Sequence, residues 1–369
     1  MNSGFNPPPY PQDRLNEIRQ AVITSGLNLV DLSIGTPCDP VPEILSIDHV
    51  EMALSRGYPR ANGSDMLLGS AISWIAGRFG IDLRQDEIAA CVGSKEFVAS
   101  VAQYLRLRTP HRSSVLFPSV SYPTYEMGAL LGGCKPIPVP VLPDGELDIS
   151  TLTPDVLKDT LCIWLNSPAN PTGKISSGRK VVELARKYNC LVISDECYTE
   201  FSYSTEPKTI LEFGTKNVLA LHSLSKRSNF AGGRVGFYAG DRELVRYLSE
   251  VRKHAGLMIP GMMQMFGSVL LSDQSHVEKQ REIYRERLDI LLTIIRKLGY
   301  VADFPDGGFY IWLADSAAKK NGFEIAREVA MRTGIIGSPG EFYGKSSSQY
   351  LRIAAVTSTE TLAGIAAKL

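Results

Sequence analysis

Net charge is the plainest absence in this sequence. Its 39 lysines and arginines are balanced by 39 aspartates and glutamates over 369 residues. Without a bulk positive field, nucleic acid and anionic membrane surfaces are not expected partners. Paired cysteines are also missing. The six cysteines, at 38, 91, 134, 162, 190 and 197, form no CxxC pair and no Cys/His cluster, so no metal site is expected. Cys91, Cys162 and Cys190 sit in or beside apolar runs and read as buried thiols of a reducing compartment. No long apolar run is uninterrupted. The richest stretch, 255–271, holds Pro260, Gln264 and three glycines and makes a poor membrane span. The head, MNSGFNPPPYPQDRL, holds four prolines; it does not read as a signal peptide and is expected to be an extended arm. A cytoplasmic protein is the expectation. No repeat or low-complexity tract stands out. Apolar residues at 44% and charged residues at 21% are ordinary for a globular chain and disfavour long disorder.

The middle of the chain alternates between two periodicities. Strands are expected at 89–93, 113–118, 161–166, 190–196, 218–223 and 235–240. Helices are expected at 94–107, where Phe97, Val101 and Leu105 share one face, and at 179–189 through Val181, Leu184, Ala185 and Tyr188. Apolar strands alternating with helices indicate an α/β fold whose central sheet is mostly parallel and covered on both faces. From about residue 276 the pattern changes to a long amphipathic helix (276–299), then FYIWLA (309–314), a helix near 323–333 and YLRIAAV (350–356). This reads as a smaller α+β domain. The expected division is an arm joining the small domain (1–40), a large domain (41–255) and a C-terminal small domain (256–369).

In such a sheet, ligands sit beyond the carboxyl ends of the strands. Asn170 follows the strand at 161–166, Asp195 ends the next with Tyr198 close behind, and Lys226 follows the strand at 218–223. Ser94 and Lys95 open a helix, a ready anion site, and Arg234 lies eight residues past Lys226. Each has an ordinary reading alone: a solvated lysine, a capping aspartate, a turn asparagine, a packing tyrosine, a salt-bridged arginine. Together they suit pyridoxal phosphate. Lys226 offers an amine to its aldehyde, and Asp195 a carboxylate to keep its ring nitrogen protonated. Tyr198 and Asn170 offer donors to its phenolic oxygen; Ser94, Lys95, Ser223 and Arg234 suit its phosphate.

These blocks resemble the fold-type I, class I aminotransferases from about Leu32 to Val356. The carriers are Asn170-Pro171-Thr172-Gly173, Asp195-Glu196-Cys197-Tyr198, Ser223-Leu224-Ser225-Lys226 and Gly233-Arg234-Val235-Gly236-Phe237. The resemblance implies a large cofactor-binding domain and a smaller one. It also implies that Lys226 binds the cofactor covalently, that Tyr122 stacks on its ring, and that Arg352 clamps the substrate α-carboxylate beside Gly35 and Asn170. Tyr58 resembles the tyrosine that reaches the phosphate of a neighbouring subunit, which makes a homodimer the expected unit. Within the family, Gly35–Pro42, Gly93–Glu96, His222–Asn229 and Val251–Gly256 resemble the actinobacterial-type succinyldiaminopimelate aminotransferases. That likeness implies glutamate as donor and N-succinyl-2-amino-6-oxopimelate as acceptor, with Arg14, Arg60 and Arg227 as candidates for its distal groups. Two positions depart from the family: Gly69 where an arginine is common, and Cys197 where valine or alanine is. The rival activities are other class I aminotransferases (aspartate, aromatic or LL-diaminopimelate), a carbon–sulfur β-lyase, and a cofactor-sensing regulator, which zero net charge disfavours.

Overall fold

The computed structural model describes residues 11–45 and 57–369. Most of the proline-rich head therefore lies outside the described residues. A two-residue strand, β1 (Val30–Asp31), belongs to the smaller assembly treated below. The next seven strands form one sheet: β2 (Ile88–Cys91), β3 (Ser114–Pro118), β4 (Lys135–Val139), β5 (Thr160–Asn166), β6 (Leu191–Asp195), β7 (Val218–Ser223) and β8 (Gly236–Gly240). Their spatial order is β2-β8-β7-β6-β5-β3-β4. Pairs from β4 through β7 are parallel, whereas β8 runs antiparallel to both β7 and β2. The connection before β8 holds only short helical turns, Leu224–Arg227 and Ala231–Gly233. Without a crossover helix on the sheet, the chain returns beside β7 in the opposite sense.

Every residue of β5, β6 and β7 is buried, as strands covered on both faces require. One face packs Ile163, Leu165, Val192 and Val218 against Val181, Val182 and Ala185 of the helix Arg179–Tyr188. The other packs Cys162, Trp164, Ile193 and Leu221 against Phe97, Val101 and Leu105 of the helix Ser94–Arg108. The four-residue spacing read from the sequence is thus the buried face of that helix. β4, which carries Pro136 and Pro138, lies at the sheet edge, where a missing N–H is tolerated.

The smaller assembly contains β9 (Tyr300–Val301), β10 (Tyr310–Asp315), β11 (Ile335–Ile336), β12 (Ser338–Pro339) and β13 (Tyr350–Ala354). An antiparallel sheet runs β12-β13-β10-β9, and β1 pairs with β11 in parallel. The helix Ser275–Lys297 buries Tyr284, Leu288, Leu291 and Ile295 against this assembly, and Leu15, Val22 and Leu32 join the same cluster. Ile259, Leu270 and Leu271, which follow the boundary expected near residue 255, pack into the large sheet's core instead. Val277 joins the smaller cluster. Among the described residues, no helix is long and apolar enough to cross a membrane.

Candidate active site

The carboxyl ends of β2, β5, β6 and β7 share one edge of the large sheet. Because β8 is reversed, its amino end lies there too, with Gly236 opposite both Cys91 and Ser223. Arg234, two residues before β8, therefore enters the same space. A cavity of about 470 Å³ opens at this edge, between the large sheet and the smaller assembly. Its lining includes Gly35, Ser94, Lys95, Tyr122, Asn170, Asp195, Tyr198, Ser223, Lys226, Arg234 and Arg352. Of the residues expected to hold the cofactor and the α-carboxylate, only Tyr58 is outside it; Tyr58 is 95% exposed on the surface.

Asp195 ends β6 in a buried position. Its Oδ2 accepts from the Tyr125 hydroxyl at 2.9 Å and its Oδ1 from the Cys197 amide at 3.3 Å. Burial pushes the Asp195 carboxyl above its ordinary range, and these hydrogen bonds oppose that rise. Asn166, the last residue of β5, ties the neighbouring loops together. Its Nδ2 donates to the Asp195 carbonyl at 2.8 Å and its Oδ1 accepts from the Asn170 amide at 2.7 Å.

Lys226 follows β7 on a single turn and donates from Nζ to the Gly35 carbonyl. Burial brings its amine down to about 8, and the nearby cations Arg352, Arg234 and Lys95 push the same way. Arg234 has φ of 54° and donates to the carbonyls of Ala231 and Val92 at 3.0 and 3.2 Å. Its guanidinium rests against Gly93, where a Cβ would lie 2.4 Å from Nη2. That glycine, with φ of 72°, precedes the helix Ser94–Arg108, whose first two residues line the cavity.

On the opposite wall, Arg352 of β13 is buried. It donates to Asn170 Oδ1 and to the Ser33 carbonyl, each at 2.7 Å, and lies over the Tyr310 ring at 4.2 Å and the Tyr343 ring at 4.9 Å. Its Nε is buried without a partner. The Tyr198 and Tyr310 hydroxyls are 2.9 Å apart.

The three arginines suggested for distal groups separate clearly. Arg227 is buried behind the cavity and donates to Leu270, Asp273, Ser228 and Gln274; it has no cavity face. Arg60 is exposed and paired with Asp65. Arg14 does not line the cavity, although Pro11 and Gln12 of the same turn do; it is largely exposed and pairs with Glu341 at 3.3 Å.

Tyr125, Tyr310, Asn166 and Gly93 were not singled out from the sequence. Tyr125 stands three residues after Tyr122 at a helix start, a spacing that could have suggested a shared face. Tyr310 opens β10 and reads as a core aromatic, whereas Asn166, a polar residue at the carboxyl end of β5, carried a signal that the motif reading passed over.

A buried carboxylate, a lysine with a lowered pKa, and an arginine with hydroxyls at a helix amino end fit pyridoxal phosphate. Arg234, seated against Gly93 beside the start of the helix Ser94–Arg108, and the buried Arg352 offer cationic donors for anionic groups at the two sides of the cavity. A mostly parallel sheet presenting this set at its strand ends defines the fold-type I pyridoxal-phosphate enzymes. Residues 28–369 match the family model described as aminotransferase class I and II, and the chain belongs to that pyridoxal-phosphate-dependent family. It is 34% identical to a probable aminotransferase of Mycobacterium tuberculosis, covering 98% of this chain and 85% of that protein. It is 33% identical to 4-dedimethylamino-4-oxo-anhydrotetracycline transaminase OxyQ of Streptomyces rimosus, covering 98% and 99%. Among solved structures, a probable N-succinyldiaminopimelate aminotransferase of Thermus thermophilus superposes with a TM-score of 0.86 at 27% identity, covering 97% of this chain and 99% of that one.

Proposed function

We propose that this aminotransferase moves an amino group from glutamate to N-succinyl-2-amino-6-oxopimelate, acting as a homodimer. The observation that carries the reading is the convergence of Lys226, Asp195 and Arg352 on one cavity. The succinylated acceptor is supported by the motif blocks around Gly35, Gly93, His222 and Val251 and by the similarity to the Thermus structure.

In this reading Lys226 binds the cofactor covalently. Asp195 holds the proton on its ring nitrogen, Tyr198 and Asn170 bond its phenolic oxygen, and Tyr122 covers its ring. Ser94, Lys95, Ser223 and Arg234 hold its phosphate, with Tyr58 of the partner subunit reaching the same group. When bound, the pyridoxal ring supplies an electron sink for the charge left on the substrate Cα. Arg352 takes the substrate α-carboxylate through its planar fork, with Gly35 and Asn170 beside it, and this orients Cα toward Lys226. Once the substrate's own amine has displaced it, the freed Lys226 Nζ would take the Cα proton and later return one; an amine near 8 is unprotonated often enough to act as a base around neutral pH. The division of labour follows the two assemblies: the large sheet holds the cofactor groups, and the smaller one supplies Arg352.

The test is a panel of acceptors with glutamate as donor, followed by release of 2-oxoglutarate. The expected result is the highest kcat/KM with the succinylated oxopimelate. Faster turnover of another oxo acid overturns the substrate. The 33% identity to the Streptomyces transaminase favours a polycyclic ketone as the second acceptor to include. Pyruvate release from cystathionine would mark the β-lyase alternative.

A further inference from the structure

We infer that Tyr310 is a positioning residue that ties the cofactor side of the cavity to the substrate side, backing Tyr198 with its hydroxyl and seating Arg352 on its ring. The inference deepens the proposed function and rests on its assignment of Tyr198 to the cofactor's phenolic oxygen and of Arg352 to the α-carboxylate.

The strand sets the place. Tyr310 opens β10, lines the cavity and is only 2% exposed. Trp312, two residues on, lies on the same face and is registered opposite Arg352 of β13. Arg352 is thus the diagonal neighbour of Tyr310. Its guanidinium sits 4.2 Å from the centre of the Tyr310 ring, a cation held on a π face. At the far end of that ring the hydroxyl meets the hydroxyl of Tyr198, which follows β6 of the large sheet, at 2.9 Å. Gly35 leaves room for this contact. A Cβ there would overlap the Tyr310 hydroxyl, and the carbonyl of the same glycine holds Lys226.

The chemistry of two phenols sets the direction of the bond. Each has one hydrogen to give. Burial pushes the Tyr310 phenol up to about 12 and that of Tyr198 well above its ordinary value, so both keep their hydrogens at neutral pH. Arg352, Tyr343 and Tyr122 are the other charged or titratable groups acting on Tyr310. When Tyr198 gives its hydrogen to the cofactor's phenolic oxygen, its own oxygen is left to accept, and Tyr310 supplies the hydrogen. Hydroxyls in series polarise one another, so Tyr198 becomes the stronger donor and is held in line.

The test is a pH titration of the visible absorbance of the cofactor bound to the resting holoenzyme, without substrate. Hydrogen bonds to the phenolic oxygen favour the form of the bound cofactor that has lost its titratable proton, because the charge on that oxygen is then unshared. Tyr310→Phe keeps the ring and removes the hydroxyl. It is expected to raise the midpoint by about 0.3–0.6, and Tyr198→Phe by about 1 or more. In the Tyr198→Phe background, Tyr310→Phe should add nothing, since the hydroxyl acts through Tyr198 alone. The ring is read separately: Tyr310→Leu should raise the KM for glutamate about three- to tenfold above that of Tyr310→Phe. An unmoved midpoint in Tyr310→Phe overturns the inference while leaving the proposed function standing. So does a further rise when it is added to Tyr198→Phe, and so do equal KM values for the Phe and Leu variants. A midpoint unmoved by Tyr198→Phe removes the Tyr198 assignment and the inference with it, and a wild type that takes up no visible band from pyridoxal phosphate defeats the proposed function itself.

Discussion

The Tyr125 hydroxyl donates to Asp195 Oδ2 at 2.9 Å while its ring stacks on Trp164 at 4.9 Å. The core of the large sheet therefore reaches the site through one phenol. That contact is among the forces holding the buried carboxyl down against its burial. Tyr125→Phe is expected to leave Oδ2 short of a donor and to lower kcat by about tenfold to a hundredfold, the span set by one hydrogen bond to a charged group. Steady-state kinetics with saturating cofactor check this. An unchanged kcat would remove Tyr125 from any role in positioning Asp195.

Lys226 supplies a pH signature. Its amine is brought from 10.5 to about 8 by burial, and only the unprotonated form attacks an aldehyde. Uptake of pyridoxal phosphate by the apoprotein should accelerate as pH rises, with a midpoint near 8, and then level off. Stopped-flow absorbance follows it. A rate still climbing steeply at pH 10 would mean that the amine titrates as an ordinary lysine.

Gly93 makes room for Arg234. A methyl group there would lie 2.4 Å from the guanidinium, at a backbone φ of 72°. Gly93→Ala is expected to displace Arg234 and to weaken cofactor binding by about tenfold or more, with a smaller loss of stability, about 1 kcal/mol, from the left-handed backbone. Equilibrium dialysis against pyridoxal phosphate and thermal unfolding of the apoprotein separate the two effects. Equal cofactor affinity in the variant would show that Arg234 can move without consequence.

Glu196 gives a stability prediction of opposite pH sense. Burial raises its carboxyl from 4.5 to about 7, and the nearby His222 is held neutral, down to about 3, by burial. Their side chains approach to 3.4 Å. Between pH 4.5 and 7 the folded protein binds more protons than the unfolded chain, so Glu196's contribution falls as pH rises and is lost above 7. Glu196→Gln should gain stability relative to wild type at pH 8 compared with pH 5, by something on the order of 2–3 kcal/mol. Urea unfolding at the two pH values measures it. A constant difference between the two proteins would place the titration elsewhere.

The buried strands were legible because their residues are continuously apolar and their ends carry turn chemistry. TLCIWLN and LVISD are such runs, and the residues just past them were where the site was sought. The reversal of β8 was not legible, since direction depends on how the chain crosses the sheet and not on local pattern. Nor was β4, whose two prolines weaken a strand signal that its edge position rescues. Reading by motif reached Lys226, Asp195 and Arg352 but passed over their supports. Tyr125 and Asn166 act through bonds to residues far along the chain, 70 positions for the Tyr125–Asp195 pair and 29 for Asn166 and the Asp195 carbonyl, and no local spacing encodes such a pair. Arg14, Arg60 and Arg227 were indistinguishable by sequence because each is an arginine beside polar neighbours. Burial and partners separate them.

The carbonyls of Ser33 and Gly35 hold Arg352 and Lys226, although both belong to a stretch that precedes the whole large sheet. Cleavage that removes the chain through Gly35 would spare the seven-stranded core and leave Arg352 and Lys226 without these two acceptors. A preparation clipped there would look folded by circular dichroism and run at nearly full size on a gel, so intact mass is the measurement that vouches for its specific activity.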